Sequence, residues 1–160
     1  MQYNKRTKSN ITENFLINLM LDRGVLPINP SDVEKFTKPT RNNEYNPELL
    51  DNMEEGFQLL CKHLSNNGKI YIPIDCDVDG YTSASFLYLY LTEVIKPYTG
   101  WNFTIDYHVP EGKEHGLEIV MPLLSETKKY DLILLADSSS NDYNYHKILS
   151  EMGYDILILD

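Results

Sequence analysis

An α/β fold, a parallel β-sheet flanked by helices of the Rossmann-like kind, is what this sequence predicts, and three observations predict it. Short β-branched or apolar runs recur at 69–74, 102–109, 132–136 and 155–159. Between them lie segments with helical spacing. The resulting order, β-α-β-α-β-α-β, places successive strands in parallel with crossover helices on the faces. The expected organisation is a small helical region over 1–67 followed by an α/β domain over 68–160.

Residues 1–10 are polar and basic and read as a loose arm. Thr12 caps a short helix with Phe15, Leu16, Leu19 and Met20 on its apolar face, closed by Gly24. Ser31 and Glu34 form a capping box for a second short helix carrying Val33 and Phe36. The turn-rich stretch 37–46 is a connector. Asn46 followed by Pro47 starts a helix running to about Leu64, with Leu49, Leu50, Met53, Phe57, Leu60 and Leu64 on one face.

Ile70, Ile72 and Ile74 alternate and mark the first strand. Thr82, Ser83 and Ser85 open a helix over 82–95 whose apolar residues are Phe86, Leu87, Tyr90, Leu91 and Val94. Phe103, Ile105, Tyr107 and Val109 alternate in the second strand. Leu117 to Lys128 is helical, with Pro122 at a turn or kink. Leu132 to Ala136 is apolar throughout, as a strand covered on both faces must be. Tyr145 to Met152 is a helix closed by Gly153, and Asp155 to Leu159 is the fourth strand.

The chemistry gathers where strands end. Asp75, Asp77 and Asp79 follow the first strand at every second position and stop at Gly80. Asp137 ends the third strand and Asp160 the fourth. Carboxylates this close repel one another and stay ionised only beside a compensating cation. Their hard oxygens suit Mg²⁺, Mn²⁺ or Ca²⁺. A calcium-binding helix-loop-helix shares the D-x-D-x-D-G opening but needs Glu at its twelfth position, where this chain has Phe86, and a helix before it. The competing reading of Asp75–Asp79 alone is a solvated acidic turn. Strand-end acids on a parallel sheet share one edge, where ligands bind such sheets, and three strands ending this way favour a metal site.

The 160 residues carry a net charge of −10 with 42% apolar and 11% aromatic residues, enough for one domain with a core. Residues 1–41 hold seven Lys and Arg against four Asp and Glu; the rest is strongly acidic. That body argues against nucleic-acid binding through its own surface, an objection that bound divalent ions weaken. Cys61 and Cys76 form neither a disulfide framework nor a recognisable zinc spacing. Cys76 lies between two acids, which disfavour a thiolate nucleophile. The longest apolar runs fall short of a membrane span and the N-terminus carries no signal-peptide pattern, so a reducing, cytoplasmic setting is expected. Among the histidines, His63 and His146 read as solvated, His108 as half-buried, and His115 as a loop residue with a structural hydrogen bond, its alternative being contact with a phosphate group. The twelve tyrosines read mostly as core, and none is assigned to nucleic acid.

IPIDCDVDGYTSASFL resembles the first motif of the DHH phosphoesterase superfamily, commonly GDYDADGxTS. LILLADSSSND resembles its second motif, HVPEGKEHGL the loop after its second strand, and GYDILILD the strand leading into the signature Asp-His-His. Upstream, LMLDRGV, SDVEKFTKP and NPELLDNMEEG resemble the leading segments of the RecJ exonuclease branch. The motifs arrive in order and cover nearly the whole chain from about residue 12. Ile74 stands where Gly is usual and Cys76 where Tyr is usual.

The resemblance implies a two-metal phosphodiesterase using Mn²⁺ or Mg²⁺, with Asp77 and Asp79 as ligands and Asp137 bridging. Asp75 would be a supporting acid and Asp160 would support the adjacent histidines of the signature. It implies a single-stranded DNA or oligonucleotide substrate, a 5′-to-3′ exonuclease role in repair or recombination, and a single-strand-binding protein or helicase as partner. The signature histidines do not occur after Asp160, so the chain is expected to be the front part of a longer protein and inactive as given. Two alternatives stand beside this: a phosphodiesterase for short oligonucleotides or cyclic dinucleotides, and a non-catalytic replication or scaffold component.

Overall fold

A computed structural model describes Arg23 and residues 38–160 apart from Glu114. The expected helices around Thr12–Met20 and Ser31–Phe36 lie outside the described residues. The chain divides into two units, Met1–Leu49 and Leu50–Asp160. In the first, Arg41–Asn43 and Pro47–Leu49 form 3₁₀ turns, and the Asn46 side chain accepts the Glu48 backbone N–H at 3.1 Å. Asn46 and Pro47 therefore start a turn rather than the long helix expected. Asn52, at φ 57, breaks the path, and the helix proper is α1, Met53–Ser65.

The second unit is a four-stranded sheet of β1 (Lys69–Pro73), β2 (Thr104–His108), β3 (Leu132–Ala136) and β4 (Asp155–Leu159) in the order β2-β1-β3-β4. Every pairing is parallel, so the predicted fold class is observed. Between the strands run α2 (Val78–Leu89), which continues as a π-helical stretch over Tyr90–Ile95 into α3 (Lys96–Thr99), then α4 (Met121–Glu126) and α5 (Tyr143–Glu151). Pro122 sits in the first turn of α4, where its missing N–H costs nothing.

Alternation along the strands divides the core in two. Ile70, Ile72, Leu132 and Leu134 pack with Leu64 of α1, Ala84 of α2, Leu91 and Phe103. Tyr71, Ile133 and Leu135 face the other way, onto Leu117, Val120, Leu124 of α4 and Leu149 of α5. All five residues of β3 are buried, as a central strand covered on both sides requires. The Tyr154 hydroxyl donates to the Leu124 carbonyl at 2.9 Å and ties α4 to the start of β4.

The apolar stripe of α2 differs from expectation. Leu87 and Leu91 face the core, but Phe86, Tyr90 and Val94 are exposed. The helix is apolar on opposite sides, so periodicity alone could not choose the inward one. Tyrosine burial is also overestimated by the sequence: Tyr71 and Tyr154 are buried, whereas Tyr45, Tyr81, Tyr90, Tyr98, Tyr107 and Tyr143 are exposed. His63 is not solvated but buried, and its Nε2 lies 2.7 Å from Asp155 Oδ2. The same oxygen accepts from Lys62 Nζ at 2.9 Å, clamping α1 to the first residue of β4.

Lys62, foremost, and then His63 hold the Asp155 carboxyl below the ordinary carboxylate range against the opposing effect of burial. A depressed carboxyl pKa contributes stability above its unfolded value, about 3.9, and loses it as pH falls through the folded value. Asp155→Asn is expected to lower stability at neutral pH by about 1 kcal/mol, since the carboxylate is partly exposed. It should also flatten the decline in stability below about pH 4. Denaturant melts of both proteins across that pH range check this.

Candidate metal centre

In the order β2-β1-β3-β4, the chain leaves β1 for β2 on one side and returns to β3 on the other. The crevice at the carboxyl ends of β1 and β3 is thus the topological switch point of the sheet, where open α/β sheets bind ligands. Asp75, Asp77 and Asp79 follow β1, and Asp137 follows β3. The pairing runs on past the strands: Ile74 N–H donates to the His108 carbonyl at 3.1 Å and Asp137 N–H to the Leu159 carbonyl at 2.9 Å. Both acidic stretches therefore leave the sheet from a fixed point.

Asp77 caps α2, its Oδ1 accepting the Gly80 N–H at 2.9 Å. The helix so begins four residues before the expected Thr82, and Asp79 lies in its first turn, where a negative charge meets the positive end of the helix dipole. Both carboxylates are exposed. Gly80 is a contact residue: a Cβ there would stand 2.6 Å from Asp75 Cβ and 2.9 Å from the Asp75 carbonyl oxygen. Only glycine lets the first turn of α2 approach the end of β1 this closely.

Asp137 and Ser139 adopt left-handed backbone conformations, φ 63 and 72, which cost a residue with a Cβ and collect at functional sites. Burial first, then Asp77, Asp79, Asp160 and Asp75, push the Asp137 carboxyl above its ordinary value. Asp160 accepts a hydrogen bond from the Ser140 hydroxyl, which joins the tip of β4 to the loop after β3. Asp79, Asp137 and Asp160 also line the acidic end of a groove of about 1340 Å³ whose walls are α1 and α2, with Phe57 and Phe86 among its apolar residues.

Asp75 stands apart from this set. It is 6% exposed, and its two carboxylate oxygens lie 3.0 and 3.1 Å from His115 Nδ1. The structural hydrogen bond expected of His115 is present, with Asp75 as its partner. Cys76 completes the group, its Sγ 3.2 Å from His115 Nε2 and 3.5 Å from Nδ1. The sequence held no sign of this contact, because it joins two loops 39 positions apart. Burial, then Asp75 and Asp77, push the Cys76 thiol up, in keeping with its rejection as a nucleophile. The His115 loop is anchored by Asp142, whose Oδ2 accepts the Leu117 N–H at 3.0 Å.

The structure therefore gathers Asp77, Asp79, Asp137 and Asp160 along one edge and sets Asp75 with His115 and Cys76. The first set offers only hard oxygen donors, which fits Mg²⁺ or Mn²⁺, and the mutual repulsion felt at Asp137 is what a cation would relieve.

No family model matches the chain. It is 27% identical over 146 residues to YorK of Bacillus subtilis strain 168, named as an SPbeta prophage-derived single-strand DNA-specific exonuclease. The YorK protein of Bacillus phage SPbeta gives the same figures, covering 91% of this chain and 23% of the relative. Against the single-stranded-DNA-specific exonuclease RecJ of Haemophilus influenzae it is 28% identical over 123 residues, 76% of this chain and 20% of that one. The chain thus spans less than a quarter of the length of these curated relatives.

The close approach at Gly80 makes a prediction with an unusual sign. At an unobstructed helical position Gly→Ala stabilises by up to about 1 kcal/mol. Gly80→Ala should instead destabilise, by about 1–3 kcal/mol, because the new methyl meets backbone atoms that cannot give way. A urea melt of the variant beside its parent reads the sign directly.

Proposed function

We propose that the acidic edge is the metal-binding part of a phosphodiesterase that hydrolyses single-stranded DNA, a 5′-to-3′ exonuclease of the RecJ type within the DHH phosphoesterases. The observation that carries it is the convergence of Asp77, Asp79, Asp137 and Asp160 at the switch point, with Asp137 under the field of the other acids. The relatives named for single-strand-specific exonuclease activity support the same reading.

In this reading Asp77 and Asp79 would be ligands in a two-metal site for Mn²⁺ or Mg²⁺, and Asp137 would bridge the two ions. Divalent ions bound there would supply an activated water and offset charge on the phosphodiester. The chain's own residues set the geometry. Asp77 is oriented by the Gly80 N–H, Asp137 by its backbone bond to Leu159, and Asp160 by Ser140. Asp75, paired to His115, supports the loop that carries Asp77. A groove that grips a single strand needs basic and aromatic side chains. The acids here provide the cutting edge, and the grip would come from other parts of a relative-length protein. The 160 residues alone are expected to bind metal weakly and to cut DNA little or not at all.

Calorimetric titration with Mn²⁺ tests this reading. The chain should bind Mn²⁺, and both Asp77→Ala and Asp137→Ala should abolish the binding, because the two acids serve one site. Loss in only one variant, or no binding in the parent, counts against it. A relative-length protein carrying these residues should shorten 5′-labelled single strands in Mn²⁺, with a loss of at least about 100-fold in either variant.

A further inference from the structure

We propose that Asp75, Cys76 and His115 form a second site, for one zinc-class transition-metal ion, separate from the oxygen-only set of Asp77, Asp79 and Asp137. Three arguments carry it. They are independent of the exonuclease reading.

The first argument is donor chemistry. Thiolate, imidazole and carboxylate together suit Zn²⁺ and its neighbours, whereas Mg²⁺ and Mn²⁺ take oxygen-rich sets. Two such sites side by side would sort ions by softness.

The second is geometry. The donor atoms of the three residues lie within 4.8 Å of one another. From His115 Nδ1 it is 3.5 Å to Cys76 Sγ and 3.0 Å to Asp75 Oδ1. A tetrahedral Zn²⁺ at about 2.0–2.1 Å from nitrogen and oxygen and about 2.3 Å from sulfur sets those separations at roughly 3.5 and 3.4 Å. The thiol already stands at the required distance, and the carboxylate has a few tenths of an ångström to move.

The third is support. Asp75 is fixed by burial and by the contact of Gly80 against it. His115 is fixed from its far side, where a Cβ on Gly116 would come 2.7 Å from Asp142 Oδ2 and that carboxylate holds the Leu117 N–H. Ligands arrive from two docked loops, and the exposed side of His115 leaves a fourth position open to water, as zinc sites with three protein ligands do.

The competing reading of the same three groups is a thiol-imidazole-carboxylate nucleophile. It fits less well. Sγ lies within reach of both ring nitrogens, at 3.2 and 3.5 Å, so it is shared between them rather than paired with one alone, as a nucleophile and its base are.

Cobalt(II) is the probe, because a thiolate ligand to Co²⁺ gives a charge-transfer band and a tetrahedral site gives intense visible bands. The reduced 160-residue chain should form a Co²⁺ complex with both signatures, and Zn²⁺ should displace it. Cys76→Ser and His115→Ala should each weaken binding by at least about 100-fold, more than the loss of an indirect partner usually costs. Cys61→Ser and Asp137→Ala should keep the spectrum. His115 is on an exposed loop, and circular dichroism matching the parent separates ligand loss from unfolding. A complex without the charge-transfer band overturns the proposal. So does a band that survives Cys76→Ser, or one that is lost in Asp137→Ala.

Discussion

The pairing of β1 with β3 is the contact on which the rest depends. Ile70 faces Leu132 and Tyr71 faces Ile133 in register, and apolar side chains cover both faces of the pair. A slip of β3 by one residue would turn Leu132 and Leu134 from one core to the other. Each side chain is already packed into its own core, which opposes that slip, so the two strands end level with each other. Their acids then emerge at one height on neighbouring strands. Neither acidic loop has to find the other, because the sheet has already aligned them.

Close approach refines what register begins. The first turn of α2 is drawn against Asp75 by the bare Cα of Gly80, which turns Asp77 into a cap and aims the dipole of a long helix at the crevice. On the β3 side the left-handed Asp137 and Ser139 turn the chain sharply enough for Ser140 to reach Asp160. Packing thus places like charges together at some cost in repulsion, and leaves Asp75 to a different neighbourhood. One buried acid paired with imidazole and several more open acids sharing a field are two electrostatic environments that begin within two residues of each other, at Asp75 and Asp77.

Much of this was legible from residues alone. β3 stands out because an uninterrupted apolar run of five has few uses besides a buried parallel strand, β4 shows a run of four after Asp155, and the acids at their tips follow from the fold class. The start of α2 was not legible, because Val78-Asp79-Gly80 reads as a turn when the glycine's real partner, the backbone of Asp75, is unknown. The direction of α2 was hidden by a second apolar side bearing Phe86 and Tyr90. His63 looked solvated among Lys62, Ser65 and Asn66, since its partner Asp155 lies 92 positions on. The meeting of Cys76 with His115 has the same cause. Sequence displays chemistry along the chain, and these contacts are made across it.

The register of β1 against β3 has a consequence for folding. Ile70 and Leu132 are roughly sixty residues apart, so their pairing closes a long loop, and the entropy of that closure is spent before the contact returns anything. Asp137 is distant from Asp77 and Asp79 in the unfolded chain and becomes their neighbour only as this closure completes. Repulsion among them is therefore felt late, near the top of the folding barrier or beyond it. Cations that screen or bind the edge act on the same step, tilting the balance toward the native chain by mass action. Assembly of the chemistry and completion of the fold are one event.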